Sequence, residues 1–534
     1  FSTISQKNLG SVTGNVESIF QYLNKDTTIG ASQPAEKGLI NTYINAFYTI
    51  SNFKAGMRIE SYLPRIQGYP DRFEGTGLGM RYVGYENDFV DVTLGSFYEQ
   101  FGSGMIFRAY ENRSLGYDNL MDGLKLVVRP RNGIILKAVY GNQRLAFTNG
   151  LVVKAEGLVR GLDGEVVLNQ AIKTLNKFPV DITLGASFIS KYQKDQDANL
   201  ILPENVGSYG GRLGLRFKNL YFNGEYIMKE NDPSTDNLYI YNTGHGALFN
   251  LSYTKKGLGI ILSAKSVDNM SFRSDRTKDL QDVFINYLPS MNKTHSYNLV
   301  ASMYPYTTQP LGEIAYQIEA LYTIKKGTII GGKYGLPINI NFSTAYKPLK
   351  HTLPFDSTLV TYKGKMFDMS DTLLMQDFNI NITKKFSKKL TIIGSYFALR
   401  LNNDIVKVTN HAKGIINANV GVIEINYNLN KKHSIRAEIQ GLFTKKDNGN
   451  WATGVIEYTI SPNWFFSVMD QYNYGNSDPA KRLHYIIGSF GYIKDASRFM
   501  VSYGRQRAGL FCVGGICRFV PASNGLTLTF THSF

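Results

Sequence analysis

Alternation of apolar and polar positions with a period of two recurs along the chain, in segments about the ~10 residues that one membrane-crossing strand needs. In the last segment Leu526, Leu528, Phe530 and Phe534 share one face, interrupted only by His532, while Thr527, Thr529, Thr531 and Ser533 share the other. Leu213, Leu215 and Phe217 oppose Arg212, Gly214 and Arg216, and Ile435, Ala437, Ile439 and Phe443 oppose Arg436, Glu438 and Gln440. Ile314, Tyr316, Ile318, Ala320 and Tyr322 are set against Glu313, Gln317 and Glu319. The charges inside these segments keep to one face, as a strand between lipid and a polar lumen requires. A soluble β-sandwich strand alternates too, so the weight rests on repetition over the whole chain.

Connections between the segments alternate as well. Short ones rich in Asn, Asp, Gly, Pro and Lys fall at 49–52, 86–88, 130–133, 255–257, 429–433 and 461–463. Long polar stretches lie between them, at 24–37, 64–75, 103–119, 193–205, 230–244, 266–294, 347–371, 402–413 and 505–524. Tight turns at one end and long loops at the other predict a single transmembrane antiparallel β-barrel spanning 1–534, all-β, with short periplasmic turns and long extracellular loops. Counting hairpins gives about 26 strands, within a range of about 24 to 26. That count closes across 295–346 only if 327–334 and 336–346 are separate short strands. The apolar phase changes between Val422 and Ile423, which reads as a bulge or the lipid boundary.

Composition narrows the class. At ~150 residues per soluble domain, 534 residues would make three or four domains, but only 19% are charged, against ~25% in soluble domains. Aromatics reach 13%, Gly 51 and Cys only 2. A disulfide-scaffolded module, a disordered polyanion and a collagen-like chain are excluded. A helical membrane protein is excluded because no run approaches the ~20 apolar residues of a spanning helix.

The net charge of +16 would point to nucleic acid in a soluble protein. Here many cations sit in turns and at strand ends, such as Lys255, Lys256, Lys384 and Lys385. There they meet lipid phosphates, so the expected partners are outer-membrane lipids and lipopolysaccharide, not nucleic acid. The candidate lumen charges are of mixed sign: Arg58 with Glu60, Arg436 with Glu438, Arg212 with Arg216, Glu313 with Glu319. Paired signs predict a solvated cross-strand lattice, with at most a modest preference for anions.

Candidate chemistry is sparse. Cys512 and Cys517 flank Val-Gly-Gly-Ile in the last long loop, where the glycines let the chain reverse, and the exported setting favours a small disulfide-closed loop. A metal pair there lacks the four ligands of a structural zinc site. The seven histidines are scattered, and His484 and Ser489 fall on opposite faces of one strand. Acidic pairs such as Asp195 with Asp197 and Glu230 with Asp232 could hold calcium only weakly. No catalytic residue, metal site or cofactor is assigned.

Export requires a signal peptide, expected to have been removed. The terminal Phe534 on its alternating strand has the form of an outer-membrane barrel signature. Strand-like alternation begins already at 12–22, so no N-terminal plug domain is expected. A lumen of this size must then be closed by infolded loops, chiefly 266–294 and 347–371, or by a plugging lipoprotein or other partner.

The runs Thr294-His-Ser-Tyr297, Tyr304-Pro-Tyr-Thr-Thr-Gln-Pro-Leu-Gly-Glu313, Gly331-Gly-Lys-Tyr-Gly335 and the stretch from Tyr503 to Gly525 around the two cysteines carry a resemblance. Along its full length the chain resembles an uncharacterised outer-membrane β-barrel family of Bacteroidota. The resemblance implies compartment and phylum and brings no activity. Tyr304, Tyr306, Gln309, Pro310, Gly331 and Tyr334 suggest either a packed loop or a docking surface, and strained turns would also select Pro and Gly. Three functional readings follow. The first is a non-enzymatic transport conduit with a closed lumen, the second a structural subunit of an outer-membrane assembly or secretion complex, and the third, weakest, an outer-membrane hydrolase.

Overall fold

The computed structural model describes residues 9–354, 359–406, 413–513 and 516–534, and side chains outside 510–518. Among these, one antiparallel sheet of 24 strands closes on itself. The first strand, Ser11–Asn24, pairs with Gly38–Ile50 on one side and with the last strand, Ser523–Ser533, on the other. Phe534 completes the seam, exchanging backbone hydrogen bonds of 2.8 and 2.9 Å with Gly14. Every other barrel strand pairs with its neighbours in the order of the chain.

The strand number falls at the lower end of the expected range, and one segment counted as a short strand, 327–334, is not in the sheet. This stretch is a loop joining Gly312–Ile324 to Leu336–Thr352, not a strand of its own. Gly327 and Gly332 close it with backbone hydrogen bonds, and a Cβ on Gly331 would sit 2.1 Å from the Lys325 carbonyl oxygen. The glycines that made the segment distinctive are what keep it out of the sheet.

Loop length segregates by end, with departures. The turns at 51–52, 87–89, 132–133, 218–219, 256–257, 386–389, 429–432, 461–463 and 495–496 share one end with two longer connections, 168–180 and 325–335. The opposite, long-loop end contains one tight turn, at 149–150, where strands Ile134–Thr148 and Leu151–Val167 rise past the rim. Most of 347–371 is strand as well, because Leu336–Thr352 and Tyr362–Lys385 continue through it with register shifts around Tyr346 and Pro348.

No bulge separates Val422 from Ile423, since strand Ile415–Asn428 keeps unbroken register with both neighbours. Instead Ala418, Val420 and Val422 face inward and are buried, while Ile423, Ile425 and Tyr427 face outward and are exposed. The apolar phase changes because the inner wall is itself covered by protein near the long-loop end. Elsewhere the outer face bears the exposed apolar belt, with Leu162 at 60%, Ile456 at 63% and Ile439 at 70% exposure. Ile439 lies near the middle of His433–Phe443, so Ile439→Arg is expected to destabilise the barrel by ~2–4 kcal/mol, the cost of a cation at the bilayer midplane. Urea unfolding of the refolded protein in lipid vesicles reads this directly.

Candidate functional site

Two segments from the long-loop end fold back into the lumen. The first, 98–120, contains a hairpin of Glu99–Phe101 with Phe107–Ala109. Phe101, Met105, Ile106 and Phe107 are completely or almost completely buried against inward-facing Val159, Ile189, Val206, Ile227 and Val267. Polar contacts fix the hairpin to the wall. Lys137 Nζ lies 2.8 Å from Glu99 Oε1, and the Ser103 backbone N–H donates to Glu225 Oε2 at 3.0 Å. Gly102, at φ +52°, lets the chain pass so close to Arg212 that a Cβ would fall 2.5 Å from its Cδ.

The base of this segment is held by a buried ion cluster. Glu60 accepts from Arg58 Nε at 2.7 Å, from the Arg144 guanidinium at 2.7 and 2.8 Å, and from the Tyr62 hydroxyl at 2.9 Å. The same two arginines reach Asp118 at 2.9 Å, and Arg58 reaches Glu111 at 3.0 Å. Arg113, whose guanidinium also bonds Glu111, reaches Glu17 on the first strand at 2.6 Å. Wall carboxylate and loop carboxylates thus share the same cations, which ties the segment to the barrel.

The second segment, 269–311, crosses the lumen as a strap. At its start it packs on the first segment, with Arg108 N–H donating to Ile285 O at 2.9 Å and Asn119 Nδ2 to Phe284 O at 2.8 Å. Lys293 then meets Glu319 at 2.8 Å and His295 meets Asp377 at 2.5 Å. The short helix Asn298–Met303 reaches the far wall. There the Leu299 N–H donates to Gln440 Oε1 at 2.9 Å, Gln471 bonds Asn298, and Arg507 donates to Ser302 Oγ at 3.0 Å. Returning, Tyr306 donates its hydroxyl to Glu313, which also pairs with Lys265 at 2.7 Å. Burial and that neighbouring carboxylate hold the Tyr306 phenol well above its ordinary range.

Between the two segments and the wall lies a cavity of about 720 Å³. Tyr43, Asn41 and Glu17 line it from the first strands, Arg113 from the hairpin segment, His295 from the strap and Arg507 from the far side. Toward the turn end the inward-facing side chains are solvated, Glu165 and Glu457 keeping 40% and 42% exposure. The lumen is therefore filled in its long-loop half and wet in its turn half.

The residues singled out from sequence fall as follows. Arg58 and Glu60 form a dry cluster, not a solvated lattice. Arg212 pairs with Asp163 at 2.8 Å, whereas Arg216 is exposed and stacks over Tyr221. Arg436 gathers Glu438, Glu457 and Glu424 on the inner wall. Tyr304 and Tyr306 are buried within the strap, and Gln309 N–H donates to Glu313. Pro310 accepts from Met270 N–H at 2.8 Å. Gly331 and Tyr334 lie at the opposite, turn end, so the six residues do not form one surface. Leu526, Leu528 and Phe530 alternate outward on the last strand, with exposed Phe534 beyond it. The register sets Cys512 opposite Cys517 in the hairpin of Gly509–Val513 with Ile516–Val520, and their side chains lie outside those described.

The described parts of the expected occluder 347–371 stand at the rim, and the hairpin segment 98–120 takes its place. Its content of Phe101, Met105, Ile106, Phe107, Leu115 and Tyr117 was the available signal, since an exposed loop would not display so many large apolar side chains. The His295–Asp377 pair was also missed, because 82 positions separate its members. Among the described residues no hydroxyl is hydrogen-bonded to the other ring nitrogen of His295.

Known structures resemble this barrel only loosely. The P pilus usher PapC translocation pore shares 8% identity at a TM-score of 0.42, covering 98% of this chain and 99% of its own. The siderophore receptor PirA from Acinetobacter baumannii gives 9% and 0.45, with 99% and 81% coverage. Pseudomonas aeruginosa OccK8 gives 9% and 0.35, with 83% and 96% coverage. No curated protein matches the chain. A family profile does match it, over residues 1–534, and the chain belongs to that family of unknown function, DUF6029.

Proposed function

We propose that the protein is a transport conduit of the bacterial outer membrane, held closed at rest by its own loops. The observation that carries this reading is the strap. It crosses the lumen and is held along its second half by separate polar contacts at Lys293, His295, Asn298 and Ser302. Contacts of that kind can be exchanged for contacts to a permeant or partner without breaking the sheet. The cavity of about 720 Å³ beneath the rim is the space into which a permeant would first enter.

A second reading is an accessory barrel with a permanently filled lumen, serving a larger outer-membrane assembly. The dry cluster of Arg58, Glu60 and Arg144 favours it, since buried ion pairs of this density resist rearrangement. Single-channel recording of the intact protein in planar bilayers separates the two. Brief openings to stable levels are expected for the conduit, and complete silence under voltage and after addition of co-purifying proteins overturns it.

A further inference from the structure

The charge of +16 is not spread evenly over the molecule. Four consecutive turn-end regions, 253–258, 325–335, 383–391 and 428–434, are neighbours along the rim because the strands that they join pair in order. Together they contain eleven lysines, no arginine, and no aspartate or glutamate. Of the remaining turn-end connections, some carry carboxylates, among them Glu86, Asp88, Asp181 and Asp495, some carry one or two cations each, such as Arg129 with Arg131 and Arg216 with Lys218, and 461–463 carries no charge. The lysines of the turn end are therefore concentrated in one arc.

The same arc carries exposed apolar tips. Ile329 is 103% and Ile330 62% exposed, and Phe386 and Leu429 are exposed on the adjacent turns. The loop that presents the isoleucines is ordered by its own contacts. Gly327 and Gly332 close it, Lys384 Nζ donates to Ile330 O at 2.6 Å, and Lys385 stands over the Tyr334 ring. Immediately above, outward-facing Tyr322, Ile382 and Tyr427 belong to the lipid-facing belt. Belt residues and ammonium groups thus follow one another in the order of a membrane interface, acyl chains and then phosphates, with the isoleucine tips beside the lysines.

We propose that this arc binds the phosphodiester headgroups of anionic phospholipids in the leaflet at the turn end, with Ile329 and Ile330 seated at the acyl boundary. Two features choose lipid over an acidic protein. The basic arc is continuous with the lipid-facing belt, and its cations are all lysines, point charges on flexible stems that suit several mobile headgroups better than one fixed carboxylate. Because each lysine near an anionic surface contributes about fivefold in affinity, an arc without carboxylates concentrates anionic lipid on one side of the barrel. This inference does not depend on whether the lumen conducts.

The test places a reporter at the tip, Ile330→Trp in a Trp464→Phe background, in vesicles of phosphatidylcholine with a minor fraction of phosphatidylglycerol. Either lipid in turn has brominated acyl chains, and folding is confirmed by heat-modifiable gel mobility. Severalfold stronger quenching per molecule by brominated phosphatidylglycerol is expected. That preference should vanish in Lys325→Gln/Lys326→Gln/Lys388→Gln/Lys389→Gln and persist in the control Lys173→Gln/Lys177→Gln. Equal quenching by the two lipids, or loss of preference in both variants alike, overturns the headgroup assignment. No quenching by either lipid puts the tip in water, overturns the proposal and leaves an acidic protein as the occupant.

Discussion

Replacing residues 292–303 by a glycine-serine linker of equal length should raise the conductance of the reconstituted barrel by an order of magnitude and make it continuous. That stretch holds most of the polar contacts of the strap's second half, from Lys293 with Glu319 to Ser302 with Arg507. A linker with no charged or large side chains has little to offer those partners, so the second half of the strap is free to leave the lumen. The hairpin 98–120 stays, because its anchors, Lys137, Glu225, Arg58 and Arg144, are untouched. The wall contacts of the hairpin segment run from Ser11–Asn24 and Phe53–Tyr62 round to Leu258–Asp268, which leaves the far side to the strap. A barrel of ~22 strands without a plug leaves a wide aqueous lumen, so half-clearing a 24-stranded one is expected to leave a large pore. Conductance unchanged from the intact protein would mean that the hairpin seals the lumen alone, and would favour the permanently filled barrel.

The second large effect concerns stability. Glu60→Leu is expected to cost roughly 3–5 kcal/mol, the range for breaking a buried pair by removing one partner. Glu60 is fully buried and accepts from both Arg58 and Arg144, each at most 2% exposed. Removing it leaves two guanidiniums in a dry site with only loop carboxylates to neutralise them. Asp118 and Glu111 are then drawn toward the wall, and the base of the hairpin segment is strained. The urea midpoint of the refolded barrel, followed by gel mobility, measures the loss. A change below ~1 kcal/mol, the size of an exposed pair, would show that water reaches the cluster. It would also remove the main support for a rigid hairpin.

The barrel was legible because its signal is local. Alternation of Leu526, Leu528 and Phe530 against threonines, or of Ile435 and Ile439 against Arg436 and Glu438, needs only the two-residue period of a strand. The turn positions followed from the conformational preferences of Gly, Asn and Pro. Where the reading went astray, the cause was tertiary. Val420 and Val422 looked like a slipped phase because an inner wall was assumed to be wet, and the strap and its neighbours make it dry. Gly331 was grouped with Tyr304 and Tyr306 as one packed loop or docking surface, yet the strand Gly312–Ile324 carries it to the opposite end.

Sequence alone determined a single antiparallel barrel, the sign of each strand face and the end at which the basic turns collect, since these depend on neighbours a few positions apart. Only the tertiary structure decided which contacts hold the lumen filled. Glu60 with Arg144, Lys293 with Glu319, and His295 with Asp377 lie 84, 26 and 82 positions apart. Such pairs form only once closure of the sheet has brought distant strands to face one another across a common interior. Periodicity reports which way a side chain points, and closure determines what it meets there.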